Sequence, residues 1–370
     1  MDTNLPTRVR EAIAETGLTH AEFAARVRMT ADKLSKSLNG SRRFTTLELA
    51  LIADASGTTV DWLINGTVVE QPAMAARTVL KSGQSKQEIE SFVEHFMTAD
   101  RQLQKLRGRR ELTPLPVGPP PEGAEAYVPQ VLATYAADRL AALDRNVDGL
   151  TTADLIEAIR QAFDVDTVVD TLPGGLDGFA WQTSTLRILG VRRTPYWARQ
   201  RFTLAHELGH ILMHQAKDLL AENETNGQKP PGERAADQFA AHFLMPERAL
   251  RDAASSGHLE RHTAIDLINR LLVSPAAFSW RAYNLGLISA SEREELAVLT
   301  AEICAVLGDR ADLVYQARTA SEAQRLPRRL VVGHISAYQE GETSARPLAN
   351  LLGVPVQEVV NLFGGGDQEG

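Results

Sequence analysis

Apolar residues recur at three- and four-residue spacing over most of this chain, and the breaks in that rhythm set out its organisation. Over residues 5–66 the pattern falls into five short helical segments, 5–16, 19–27, 30–38, 45–55 and 59–64. Phe23, Ala24, Val27, Leu34, Leu38, Leu47, Leu51 and Ile52 are the expected core, and Gly17 and Gly40 fall where the chain must turn. Thr19 and Thr30 are natural N-caps, and Thr19-x-x-Glu22 is a capping box. The helices at 19–27 and 30–38 are joined by a tight connection, which is helix-turn-helix spacing.

Residues 67–123 read as a connector. A helix from Ser85 to Leu106 carries Ile89, Phe92, Val93, Phe96, Leu103 and Leu106 on one narrow stripe, expected to pack against a second copy of the chain as a homodimer. Pro114, Pro116 and the run Pro119-Pro120-Pro121 form a stiff spacer. Helices follow at about 126–143 and 151–163. The period then changes to two: Val165–Val169, Gly178–Gln182 and Leu186–Val191 read as strands, the last two a hairpin around Thr183-Ser184. An edge strand of such a sheet can pair with the backbone of an extended peptide. Residues 273–288 have a second short helix–turn–helix cadence, with Arg281 as their one basic residue. The remainder reads as helices at 290–307, 311–318, 321–338, 343–352 and 355–363. The fold class is therefore mainly α with a small sheet (α+β). The expected domains are 1–66, a connector over 67–123, a mixed domain over 124–289 and a helical region over 290–370.

Composition narrows the function classes. An apolar share of 44% and a charged share of 23% are those of a soluble protein. No apolar run approaches the roughly 20 residues that span a bilayer, and Met1-Asp2-Thr3-Asn4 opens no signal peptide, so a cytoplasmic protein without membrane partners is expected. Cys304 stands alone, which excludes a disulfide framework or a cysteine metal cluster within one chain. A net charge of −8 argues against indiscriminate nucleic-acid binding. Locally, however, Arg26, Arg28, Lys33, Lys36, Arg42 and Arg43 face a single acid, Asp32, across the second and third helical segments. That arrangement suits phosphates and a few base edges in a major groove.

The chemistry centres on Phe202-Thr203-Leu204-Ala205-His206-Glu207-Leu208-Gly209-His210-Ile211-Leu212-Met213-His214. At helical spacing His206 and His210 lie one turn apart on one face, close enough to reach one metal ion, and Glu207 beside them can take a proton from water held at that ion. Leu204, Leu208, Ile211 and Leu212 bury the helix, and two imidazoles and a carboxylate buried together are costly unless something pairs them. A catalytic zinc needs a third protein ligand. His214 is excluded because two turns separate it from His206 by about 11 Å. Glu222 and Glu224 sit in a polar segment before Pro230-Pro231. Glu233 is the preferred ligand: on the helix from 233 onwards it shares a face with Asp237, Ala240 and Ala241, which places Asp237 to accept the outer ring N–H of a ligating His. His242, half a turn away, reads as structural. Tyr196, His258 and His262 are the nearest groups for stabilising an oxyanion and also read as structural.

His206-Glu207-x-x-His210, followed by Glu233-x-x-Ala236-Asp237-x-Phe239-Ala240-Ala241 and Leu244-Met245-Pro246, resembles the ImmA/IrrE-type zinc metallopeptidases over about residues 125–290. Arg201-Phe202-Thr203-Leu204-Ala205 is similar to them as well. The resemblance implies a zincin-like domain with His206, His210 and Glu233 as Zn2+ ligands and Glu207 as catalytic base. Relatives of that kind cleave a helix-turn-helix repressor and so switch on stress or mobile-element genes. The amino-terminal segment, above all Val60-Asp61-Trp62-Leu63-Ile64-Asn65-Gly66, is similar to the phage repressor/Cro-type (XRE) helix-turn-helix. By that resemblance Ala31, Asp32, Lys33 and Lys36 face the groove of a DNA operator, and His20, Arg42 and Arg43 meet phosphate. The expectation is a DNA-binding transcription regulator fused to a zinc endopeptidase that cleaves a repressor-type protein or its own linker near Pro114–Pro121. The alternative is a transcription factor whose peptidase fold serves as a non-proteolytic sensor.

Overall fold

A computed structural model describes residues 5–56, 58, 60–65, 73–76, 83–115, 129–213 and 231–364. His214, Glu222, Glu224, Gly66 and the prolines of the spacer beyond Pro114 lie outside the described residues. The chain divides into two units, Met1–Gln71 and Pro72–Gly370.

The first unit contains α1 (Leu5–Glu15), α2 (His20–Arg26), α3 (Ala31–Leu38), α4 (Thr46–Ser56) and α5 (Val60–Asn65). The Thr19 hydroxyl accepts from the Glu22 amide while the Glu22 carboxylate takes the Thr19 amide, so both partners of the capping box are engaged at the start of α2. Thr30 caps α3 in the same way through the Lys33 amide. Val9, Ile13, Phe23, Leu34, Ile52 and Leu63 close the core. One expected core residue is misplaced: Leu47 is 70% exposed, and the inward side of α4 is instead Leu49, Ile52 and Ala53. The reason is phase, since Leu47 lies in the first turn of α4 on the side away from that row.

The second unit is built on a sheet of order β1-β3-β4-β2, with β1 Ala73–Ala76, β2 Asp166–Asp170, β3 Gly178–Gln182 and β4 Arg187–Arg192. β3 and β4 form the expected hairpin, with Ala180 opposite Leu189, and β2 runs parallel to β4. β1 pairs antiparallel with β3, Ala75 opposite Ala180. Four residues of Ala-Met-Ala-Ala carry no β-branched or aromatic signal, which is why that strand was not anticipated.

Period-two burial gives the sheet two covered faces. Ala180, Leu189, Val191 and Val169 point into the larger core. That core is shared by α7 (Pro129–Ala141), α8 (Thr152–Phe163), α9 (Trp197–Leu212), α10 (Pro231–Leu244), α11 (Glu247–Ala253), α12 (Arg261–Leu271) and α13 (Pro275–Asn284), and it extends to α14 (Ala290–Ala297) and α15 (Ala301–Leu307). Phe179, Trp181, Ile188 and Val168 point the other way, into a layer made of α6 (Gly83–Arg107), α17 (Arg328–Gln339) and α18 (Ala345–Leu352). α16 (Ala311–Glu322) leads into α17, and α19 (Val356–Phe363) packs on α18.

Two expectations are corrected here. The stripe of α6 does not wait for a second copy: Ile89, Val93, Phe96 and Leu103 are buried against the sheet and the last helices of the same chain, and the argument for a homodimer from that stripe falls away. His95 Nε2 lies 3.3 Å from the Leu351 carbonyl, and His334 Nε2 lies 3.0 Å from that of Ala99. The expected helices 290–307 and 321–338 are each broken. Thr300 caps a new start by accepting from the Ile303 amide, and Pro327 stands immediately before α17. No helix among the described residues is long and apolar enough to cross a membrane.

Asp100 joins the layers. Its carboxylate, almost fully buried, accepts from Arg329 at 2.5 Å, from the Thr185 hydroxyl at 2.9 Å and from Gln104, tying α6 to the β3–β4 turn and to α17. Replacing it leaves Arg329 with Asp166 as its one remaining carboxylate and takes the acceptor from the buried Thr185 hydroxyl. Asp100→Ala is expected to lower stability by about 2–4 kcal/mol, read as a fall in the urea midpoint with an unchanged slope.

Candidate metal centre

α9 is a helix that solvent barely reaches: from Thr203 to Leu212 every side chain is buried. Its approach is braced by Arg201, which is wholly buried and donates to the carbonyls of Leu150 at 2.9 Å and Val147 at 3.1 Å. Burial pushes that guanidinium down to about 10 against the opposing charge of Asp148. The arginine ahead of the His-Glu-x-x-His segment thus anchors a loop.

α10 crosses α9 at Gly209. A Cβ there would stand 2.9 Å from Cδ1 of Phe239, closer than real contacts allow, so only glycine lets the two helices approach this far. Ala236 and Ala240, both fully buried, keep the α10 side of the contact thin, and Phe239 stacks on Phe243 at 5.6 Å behind it. This packing delivers Glu233 to the histidines. His206 Nε2 and His210 Nε2 are 3.0 Å apart, and the Glu233 oxygens lie 3.3 Å from each. Tetrahedral ligands at bonds of about 2.0–2.1 Å sit roughly 3.3 Å from one another, so this triangle has the dimensions of one zinc-sized ion. Two neutral imidazole nitrogens and one carboxylate are also the donor types such an ion takes. His206, His210 and Glu233 are the metal-ligand cluster among the described residues.

Behind the triangle, His206 Nδ1 lies 2.9 Å from Asp237 Oδ1. An Nδ1–H donated to that carboxylate leaves Nε2 as the ligating nitrogen, the role expected for Asp237. Burial alone would lower the His206 pKa; the hydrogen bonds to Asp237 and Glu233, with the charge of Glu207, outweigh it and raise the ring to about 9. Glu233 is opposed by its own burial, but bonds to His206 and His210 hold its carboxyl far below the usual carboxylate range. A proton therefore occupies the place where a cation fits.

Glu207 is fully buried and lies against the start of β3. A Cβ on Gly178 would meet its Oε1 at 2.9 Å and the Thr203 methyl at 2.5 Å. Gly178 was not singled out in the sequence, although a glycine opening a strand is the usual mark of a close backbone approach. The remaining candidates stand apart. His242 contacts Arg281 at 3.0 Å, and burial and that positive charge lower its pKa. His258 pairs with Glu292 at 3.2 Å, His262 touches Thr263, and Tyr196 lies exposed before α9, beside Asp177, Arg192 and Arg199.

In the first unit, His20, Ala31, Asp32, Lys33, Lys36 and Arg43 are exposed. Lys36 pairs with Asp32 at 2.8 Å within α3. Arg42 is held as a fork by Glu48 at 2.7 and 2.9 Å and also donates to Ser37. Three of its five N–H donors are thus engaged inside the unit, and the side chain stays half-buried.

Residues 170–282 match the family Peptidase_M78, described as the IrrE N-terminal-like domain. The matched span contains both metal-binding segments and stops within α13. No curated protein matches the chain.

Because His206 must release its proton before Nε2 can ligate, the sign of the pH effect is set. Zinc affinity should rise about tenfold per pH unit up to about pH 9 and flatten above it. Calorimetric titrations across that range, in buffers of differing ionisation enthalpy, should show about one proton released per ion bound below the plateau.

Proposed function

We propose that this chain is a DNA-binding regulator fused to a zinc-dependent endopeptidase, cleaving a repressor-type protein to release stress or mobile-element genes. The convergence of His206, His210 and Glu233 on one point, with Glu207 next to it and Asp237 behind it, carries this reading.

His206, His210 and Glu233 would hold the ion, and Asp237 fixes the His206 tautomer. A divalent ion in that position supplies Lewis acidity, polarising a peptide carbonyl and making water a nucleophile near neutral pH. Glu207, ionised, accepts the proton of the attacking water and passes it to the leaving amine, so one water is added across one peptide bond. Burial of α9, on which Leu204, Leu208 and Ile211 are fully covered, keeps the dielectric low around Glu207.

A second reading draws on one observation: the side chains of His206, Glu207 and His210 have no exposed surface. A centre so covered also suits a sensor in which metal binding alone is the signal. Cleavage decides between them. With the purified chain and repressor proteins encoded beside its gene, Glu207→Gln should retain zinc and lose cleavage by about 10²–10⁴-fold. A wild-type chain that cuts none of them, while zinc alters its DNA affinity, selects the sensor.

The DNA half rests on the exposed outer side of α3. Lys33→Ala should weaken a gel shift on the gene's own upstream region and reduce the salt slope of binding by about 1.

A further inference from the structure

Among the described residues both flanks of the β3–β4 hairpin are paired, and the sheet ends in β2 on one side and β1 on the other. On one side, Val169 of β2 exchanges two main-chain hydrogen bonds with Arg325, each 3.0 Å. On the other, β1 lies along β3 with Ala73 opposite Gln182 and Ala76 opposite Phe179. β3 is also the strand whose first residue, Gly178, sits against Glu207. β1 therefore runs antiparallel along the edge nearest the catalytic carboxylate, its carboxyl end directed at that carboxylate.

An edge strand offers one row of N–H and C=O groups, and two extended segments cannot use the same row at once. We propose that Ala73–Ala76 is an internal ligand of the peptidase, paired with β3 in the place an extended peptide substrate takes, and that a substrate enters by displacing it. This rests on the peptidase reading above and adds its regulation. The hold is suited to release. It is a four-residue strand on an outer edge, and alanine-rich sequence of this kind has little intrinsic preference for a sheet. As part of the same chain it competes at a high effective concentration, so free peptides are excluded until the pairing is broken. β1 also opens the second unit directly after the helix-turn-helix unit ends, so the same stretch of chain serves as tether and as plug.

The test uses the full chain carrying Glu207→Gln, loaded with zinc so that nothing is consumed. The probe is a fluorescent synthetic peptide of the chain's own sequence from Pro72 to Leu80. Neighbouring residues of an antiparallel edge strand point their N–H groups alternately at and away from the partner, so of Met74→Pro and Ala75→Pro one removes a cross-strand donor and the other does not. The donor-removing proline should tighten probe binding about tenfold or more, while its neighbour stays near the parent value. Equal binding by the parent and both variants overturns the proposal. If a proline chain fails to fold, hydrogen exchange on the parent with excess probe takes its place. Faster exchange at Ala73–Ala76 with β3 still protected supports displacement, and no change at Ala73–Ala76 when the probe is bound refutes it. With Glu207 restored, a variant that binds the probe tightly yet cuts no peptide supports the plug and refutes the peptidase.

Discussion

Two imidazoles and a carboxylate withdrawn from water inside an apolar helix are the constraint the second unit is arranged around. Left alone they would oppose folding, because burial penalises the charged form of each group and unpaired polar atoms in the interior are expensive. The chain meets this by bringing a second helix into near backbone contact. Gly209 opens the space, Ala236 and Ala240 keep it narrow, and Glu233 and Asp237 arrive at the two nitrogens of His206. In the ion-free chain the same arrangement stores a proton. The site is thus satisfied in two ways, by a proton or by a cation, and the competition between them follows from its geometry.

Much of the centre was legible in the residues. His206, Glu207 and His210 follow from a five-residue pattern, and Glu233 and Asp237 follow from one helical turn of spacing, because both depend on periodicity within single helices. The Thr19 capping box, the Thr30 cap and the β3–β4 hairpin were legible for the same reason. What was hidden depended on contacts between distant segments. Gly178 takes its meaning from Glu207, which lies nearly thirty positions on, and no local rule places them together. The stripe on α6 looked unpartnered because its cover, α17 and α18, comes more than two hundred residues later. The pairing of Arg42 with Glu48 likewise joins two segments that no single helical period connects. Leu47 was a matter of phase within one helix, where two positions turn a side chain by about 200° and so exchange inside for outside.

The sheet is short, yet it sorts the chemistry of the unit. One face carries the helix pair that builds the metal triangle, and the other carries hydrophobic residues with the Asp100–Arg329 bond at their border. The main-chain row of β3 that faces away from β4 is taken by β1, and β2 is bridged by Arg325 at Val169. β1 is itself the outer strand on that side of the sheet. It also makes access to β3 a matter of exchange between partners, since the row of donors and acceptors there is already in use.

The back layer of the sheet is assembled from α6, near the beginning of the unit, and α17 and α18, near its end. During synthesis Phe179, Trp181 and Ile188 emerge long before half of their covering exists. The ribosome must release almost the entire polypeptide before that face can be sealed. The first unit, whose core is drawn from its own residues, is complete while most of the second is still being made. A nascent chain therefore carries a finished first unit ahead of an unfinished second one, and the order of translation itself delays the moment at which the centre is fully enclosed.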